Sequence, residues 1–177
     1  MSSALDMALP RPEQPVLAFD ALYRTTASDV FAYVMALVRD RAVAEDVTAA
    51  AFERAWRRRT SFDGRRGSQR AWLFGIARNA ALDELRRRKR GAALVAEPPD
   101  AGAWDPDPAE DEAEAARRAV VRAALEGLSP RERELVALRF HAGLTVAEIG
   151  RVLGVSERAA AMRVHRAVVR LRELCHA

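Results

Sequence analysis

The feature that leaves this chain least freedom is the punctuation written between Leu128 and Leu174. Ser129-Pro130-Arg131-Glu132 has the spacing of a capping box, with a Ser to cap, a Pro whose missing N–H costs nothing at the first helical position, and a Glu three residues on. Thr145-Val146-Ala147-Glu148 repeats that spacing. Val146, Ile149, Leu153 and Val155 fit a short helix that stops at Gly154, where a left-handed residue is cheapest. Ser156 then caps a longer last helix. Helix, tight Gly turn and helix with an arginine-rich outer face make a helix-turn-helix, and its second helix is suited to a major groove.

The last helix has sides that can be named. At 100° per residue, Ala160, Val164, Ala167, Val168 and Leu171 cluster on the side that should pack on the helix before it. Arg158, Ala159, Met162 and Arg166 point the opposite way, with Arg163, His165 and Arg170 on the flanks. Arginine suits both bidentate reading of guanine and contact with phosphate. Gly150, in mid-helix, costs about 1 kcal/mol relative to Ala, and a close crossing of the two helices would explain its place.

Upstream, the same reading gives helices throughout. The first 16 residues are Pro-rich and aperiodic, a disordered tail with no apolar run of secretory type. From Leu17 to about Arg39, positions such as Phe19, Leu22, Tyr23, Val30, Phe31, Val34 and Leu37 recur at helical spacing. Asp40 caps a second helix to about Arg59, with Val43, Val47, Ala51, Phe52, Ala55 and Trp56 inward. Residues 60–67 form a basic, Gly-containing loop. Ser68 caps a third helix, with Trp72, Leu73, Ile76, Ala80 and Leu85 as its stripe, which ends in Arg86-Arg87-Arg88-Lys89-Arg90 and stops at Gly91. Residues 91–109 are acidic and Pro-rich, a flexible linker and a domain boundary. Asp107-Pro108-Ala109-Glu110 is a further capping box, opening a helix whose Ala113, Ala116, Val120, Ala124 and Leu125 face the terminal three. No segment has strand periodicity. The chain is expected to be all-α, with a three-helix domain over 17–90 and a four-helix domain over 110–177.

Charge divides along the same lines. The net charge is only +4, but residues 1–53, 54–90, 91–128 and 129–177 carry −4, +10, −6 and +4 in turn. Two basic blocks around an acidic spacer point to two contacts with a polyanion. In the first block aromatics interleave with arginine: Phe62, Trp72 and Phe74 lie near Arg65, Arg66, Arg70 and Arg78. Such a mixture suits unpaired bases, by stacking beside a cationic groove. Trp72, on the apolar stripe, reads equally as core, which leaves Phe62 as the open position.

Enzymatic chemistry has little support. The three histidines are dispersed, Cys175-His176 falls short of a four-ligand metal site, and Gly64-Arg65-Arg66-Gly67 lacks the spacing and following Lys of a phosphate loop. No catalytic residue, metal or cofactor is expected. A single cysteine excludes an intrachain disulfide and fits a reducing, cytoplasmic setting, and no apolar run is long enough for membrane insertion.

These residues resemble a known family. AEDVTAAAFERAWRR (44–58), the SFDG loop and AWLFGIARNAALDELRRRKR (71–90), upstream of the helix-turn-helix, look like the extracytoplasmic-function (ECF) sigma factors of bacteria, which have only regions 2 and 4. The resemblance implies a promoter-specificity subunit without catalytic activity. Its implied partners are core RNA polymerase (the β′ clamp helices and the β flap), promoter DNA and an anti-sigma factor. It assigns Asp46, Phe52, Glu53 and Trp56 to the polymerase. It assigns Phe62, Asp63, Arg65, Arg66 and Asn79 to a flipped base of the melted minus-ten element, with Arg86, Arg87 and Arg88 on the backbone beside it. Arg158, Arg163, His165 and Arg166 would contact the minus-thirty-five duplex. Two departures stand out. Ala49-Ala50 replaces the family's usual Gln-Glu, and Ala159-Ala160-Ala161-Met162 replaces a common Thr-Val-Lys-Ser, removing a phosphate-reaching Lys. Two rival readings are a LuxR-type helix-turn-helix regulator, which has no use for WLFGIARN (72–79), and a non-DNA-binding adaptor that sequesters a partner.

Overall fold

A computed structural model describes residues 15–92 and 112–176 of the chain, and among these every long element is helical. Three helices come first: α1 (Pro15–Val38), α2 (Arg41–Arg57) and α3 (Gln69–Ala92). Four follow: α4 (Glu112–Glu126), α5 (Pro130–Phe140), α6 (Val146–Leu153) and α7 (Glu157–Cys175). Helices α2, α3, α5, α6 and α7 begin where the caps predict. The Asp40 carboxylate accepts from the Val43 N–H at 3.0 Å and the Ser68 hydroxyl from Ala71 N–H at 3.1 Å. Ser129 with Glu132 and Thr145 with Glu148 close both capping boxes reciprocally. Ser156 caps α7, and Gly154 takes the left-handed conformation, φ 68° and ψ 35°.

Four expectations need correction or fall elsewhere. Gly91 does not stop α3, which runs to Ala92. The linker at 93–109 and the capping box at Asp107–Glu110 lie outside the described residues, as does the tail to residue 14. The loop at 60–67 contains two short 3₁₀ turns, Arg59–Ser61 and Gly64–Arg66. On α4 only Ala124 and Leu125 face the rest of the unit; Ala113 and Ala116 are exposed, as is Val120 at 47%. The reason is geometric: the contacts to α4 gather at its C-terminal end, where Leu174 of α7 lies near Gly127 and Arg133 of α5 donates to Leu125 O at 3.1 Å.

In the first unit α1, α2 and α3 pack mutually around Val30, Val34, Val47, Ala51, Leu73, Phe74 and Ala77. In the second, α7 is the central strut, touched by α4, α5 and α6 around Leu138, Leu144, Ile149, Ala160 and Val164. The two units also pack on each other, α1 against α5 and α3 against α6, so that one apolar core runs through both. Tyr33, fully buried, donates from its hydroxyl to Glu134 at 3.4 Å, and the same carboxylate oxygen accepts from Arg78 Nε at 2.6 Å. Burial first, then the Glu134 carboxylate, push the Tyr33 hydroxyl well above its ordinary range, so it remains a donor.

An ionic knot ties α2 to α3. Arg88 reaches Asp40 at 2.8 Å and Glu84 at 3.2 Å, and Arg87 grips Glu84 through two bonds of 2.8 Å. The Val43 N–H and then Arg88 hold the Asp40 carboxyl below its ordinary value; for Glu84 the bond from Arg87 is the largest cause. A carboxyl depressed in the folded state adds stability that is full above its unfolded value, about pH 4, and disappears as pH falls through the folded value. Thermal midpoints followed downward in pH should therefore decline most steeply below about pH 4. Asp40→Asn keeps a capping side chain without the charge, and its acid decline should be shallower.

Candidate nucleic-acid interface

The basic loop is a built structure. Arg58 O accepts from the Ser61 hydroxyl at 2.7 Å, closing the first short turn, and the Asp63 carboxylate caps the second by accepting from Arg65 N–H at 3.0 Å. Gly67 sits at φ 141° and ψ −177°, a conformation open essentially to glycine, and a Cβ there would lie 2.8 Å from Nη1 of Arg151. Between the turns the Phe62 ring leans on Trp72, half-buried, with centroids 5.6 Å apart and planes at 60°. Arg65 and Arg66 flank it, exposed, and Asn79 is exposed on α3. Phe74, by contrast, is completely buried, edge-on to Tyr33 at 5.4 Å. Of the three candidate stacking rings, Phe62 and Trp72 are half-buried against each other and Phe74 is core.

The run at the end of α3 is not uniform. Arg86 pairs with Asp83 at 3.0 Å and Arg87 with Glu84, both with their side chains largely in solvent. Arg88 is a correction: its side chain is only 23% exposed and is committed to Asp40 and Glu84, so it holds α2 to α3 instead of lying open to a phosphate. Lys89 and Arg90 are exposed and make no ion pair among the described residues.

On α7 the faces are as the periodicity predicts. Ala160, Val164 and Ala167 are buried, Val168 and Leu171 partly so, while Arg158, Met162, Arg163, His165 and Arg166 are exposed along the outer side. Gly150 is required by a close approach of the turn and of the first residue of α7: a Cβ would stand 2.9 Å from Val155 O and 3.5 Å from the backbone of Glu157. This contact sets α6 against the start of α7 and aims the outer face of α7.

The α2 face carries Asp46, exposed on an open groove of about 380 Å³ between α2 and α3 that Ala50, Arg54, Asp83 and Arg90 also line. Glu53 is exposed and paired to Arg57 at 2.6 Å. Trp56 is half-buried, with the Arg59 guanidinium 3.9 Å above its ring and Phe19 5.1 Å away edge-on. Phe52 is a second correction. It is 6% exposed beneath Phe19 and Tyr23, and so packs α1 on α2 without reaching a partner. The aromatic at the surface is Tyr23, 49% exposed. The periodic pattern placed Tyr23 with the apolar set, and nothing local marks which of two stacked rings lies outside. Among the described residues no three His, Cys, Asp or Glu side chains are grouped to hold a metal, and no helix is long and apolar enough to cross a membrane.

Comparison with known proteins agrees with this arrangement. Sigma-70 region 2 matches residues 22–91 and Sigma-70 region 4 matches residues 124–173. The ECF RNA polymerase sigma factor BldN of Streptomyces coelicolor is 36% identical over 158 residues, 89% of this chain and 60% of that one. The ECF RNA polymerase sigma factor SigK of Mycobacterium tuberculosis is 32% identical over 162 residues, 88% of this chain and 85% of that one. The sigma factor RpoE, solved with the anti-sigma factor NepR from Bartonella quintana, shares the fold at a TM-score of 0.76 and 24% identity, over 90% of this chain and 98% of that one. CnrH, solved with the cytosolic domain of CnrY, gives a TM-score of 0.62 at 28% identity, over 90% and 88%. With both regions matched in order, and with α3 and α7 carrying the motifs, the chain belongs to the ECF sigma factors of bacterial RNA polymerase.

Proposed function

We propose that this chain acts in the cytoplasm as a promoter-specificity subunit that divides recognition between its two basic surfaces. The α2 face, with Asp46, Glu53, Trp56 and the exposed ring of Tyr23, docks on the β′ clamp helices, and region 4 meets the β flap. Arg158, Arg163, His165 and Arg166 on α7 meet the minus-thirty-five element as duplex. Phe62, Asp63, Arg65, Arg66 and Asn79 take the melted minus-ten strand, with Arg86 and Arg87 beside its backbone. The single observation that carries this reading is the contrast between the two surfaces. One is a helix with exposed arginines, suited to a groove. The other is a pinned loop presenting an aromatic ring among arginines, suited to an unstacked base. The reading assigns the chain no catalytic step and no cofactor. An anti-sigma factor is the proposed regulator, by analogy with RpoE, which was solved with one.

The test is purified chain mixed with core polymerase, assayed for co-elution and for run-off transcription from upstream DNA of the source genome. Failure to bind core would sink the reading; duplex binding without core binding would fit a stand-alone regulator instead. Arg163→Ala should weaken duplex binding and flatten the dependence of log affinity on log salt by about one unit, the contribution of one phosphate contact. A salt titration checks this, and an unchanged slope removes Arg163 from the phosphate contacts.

A further inference from the structure

The outer side of α7 carries a large apolar side chain where a groove-reading helix makes its contacts. Met162 is 49% exposed, and Arg158 and Arg166 stand one turn before and one turn after it on the same side. Arg158, Arg163 and Arg166 are exposed and make no ion pair among the described residues, whereas Arg170 is taken up by Glu173 at 3.2 Å. Single exposed apolar side chains are common on protein surfaces, so exposure alone says little; the place of this one says more. Met162 is the sixth residue of α7, which begins at Glu157, and a recognition helix meets base edges with its N-terminal residues. Val169, 37% exposed on the same side, lies roughly 10 Å further along at 1.5 Å per residue, beyond that part of the helix. Beside Met162, Ala159 and Ala161 offer no polar side-chain atom, and a thioether is at most a weak acceptor. This stretch therefore cannot read a base by hydrogen bonding.

The major-groove edges of the bases present donors and acceptors with one apolar exception, the C5-methyl group of thymine. We propose that Met162 is a specificity-determining residue that selects a thymine in the minus-thirty-five element by seating its side chain against that methyl group, while Arg158 and Arg166 hold the DNA on either side. The proposal rests on the reading of α7 as the duplex-facing helix. The side chain suits the task, because methionine is unbranched and polarizable and adapts to an irregular apolar surface. The small side chains of Ala159 and Ala161 let the helix lie close to the base pairs. Cytosine at the same step lacks the methyl group and presents an N4 amino donor, which the thioether would leave unpaired when water is displaced. An exposed methionine could equally serve a protein partner; the unpaired arginines around it favour a polyanion.

The test uses holoenzyme assembled from the full chain and core polymerase. Duplexes are first selected by it from a pool randomised across the minus-thirty-five region. Each thymine of the selected sequence is then replaced singly by deoxyuridine, which differs only in lacking the methyl group. At one thymine the wild type should lose about fourfold in affinity, the effect of returning one buried carbon group to water. Met162→Ala should bind the thymine and deoxyuridine duplexes equally at that step, and Met162→Leu, which keeps an apolar contact, should retain the difference. Because Met162 is exposed, both variants should melt as the wild type does, which circular dichroism checks. A wild-type profile with no deoxyuridine-sensitive thymine overturns the proposal. So does the same sensitive thymine in Met162→Ala, the result expected if Met162 serves a protein partner instead. Failure of the wild type to assemble with core or to select any duplex overturns the sigma reading, and it shows before deoxyuridine is introduced.

Discussion

Phe74→Ala is expected to cost about 3–5 kcal/mol of folding free energy, the range for deleting a fully buried aromatic side chain. The ring has no exposed surface, lies edge-on to Tyr33 and has the Arg70 guanidinium 5.4 Å from its centroid, so its removal opens a cavity where α1 meets α3. Urea unfolding followed by circular dichroism reads the loss directly. Phe62→Ala provides the contrast. This ring is half-buried against Trp72 at the edge of the fold, so stability should fall by no more than about 1 kcal/mol, since little apolar area is lost. Its effect should appear in the melted strand, where stacking on an aromatic is worth about 1–3 kcal/mol per base. Permanganate probing of unpaired thymines in the assembled promoter complex would register it as a smaller open fraction. A Phe62→Ala protein that opens promoters as well as wild type would remove Phe62 from the strand-capturing loop, and a stable Phe74→Ala protein would contradict the packing described for α3.

Gly150→Val should destabilise region 4 by about 2–3 kcal/mol, at the upper end of the range for overpacking. The atom in the way is the Val155 carbonyl oxygen, 2.9 Å from where a Cβ would stand, and it is backbone held in place: Val155 N donates to Gly150 O at 2.9 Å, and Gly154 is fixed in its left-handed turn. Relief requires α6 and α7 to part. The expected result is a lower thermal midpoint together with at least a tenfold loss of duplex affinity, because the arginines of α7 are re-aimed. Gly154→Ala separates strain from crowding. No atom lies within 4 Å of its added Cβ, so only the left-handed backbone penalty of about 1–2 kcal/mol applies. If Gly150→Val bound duplex normally, the aim of α7 would not depend on this contact.

Helix starts were legible because capping is local: Asp40, Ser68, Ser129, Thr145 and Ser156 each act on an amide two or three residues away. The outer face of α7 was legible for a related reason, since a single helical period orders all its positions against one core. Burial decided by a third element was not. Tyr23 and Phe52 share the apolar pattern, and only the packing of α1 on α2 puts one outside and the other within. Ala113, Ala116 and Val120 carry a proper apolar period, but no described helix extends far enough to cover them. Arg88 is indistinguishable from its neighbours in sequence, and its partner Asp40 lies 48 residues earlier. The hydrogen bonds joining the two regions bridge separations of 56 to 101 residues, and no periodicity or motif spans such distances. The family likeness assigned roles, yet it could not separate the ring that lies open on the α2 side from the one beneath it.

The pinned loop has a consequence for the speed and economy of strand capture. A flexible segment must surrender about 1–2 kcal/mol of conformational entropy per residue to become ordered around a ligand. Between Arg59 and Gly67 that ordering is already complete in the folded protein: Arg59 is fastened to Trp56 O at 2.8 Å, Ser61 to Arg58 O, Asp63 to the next turn, and Gly67 supplies the exit angle. On the proposed reading an unpaired base would meet a loop already ordered by these bonds, and most of its stacking energy would remain available to hold the strands apart.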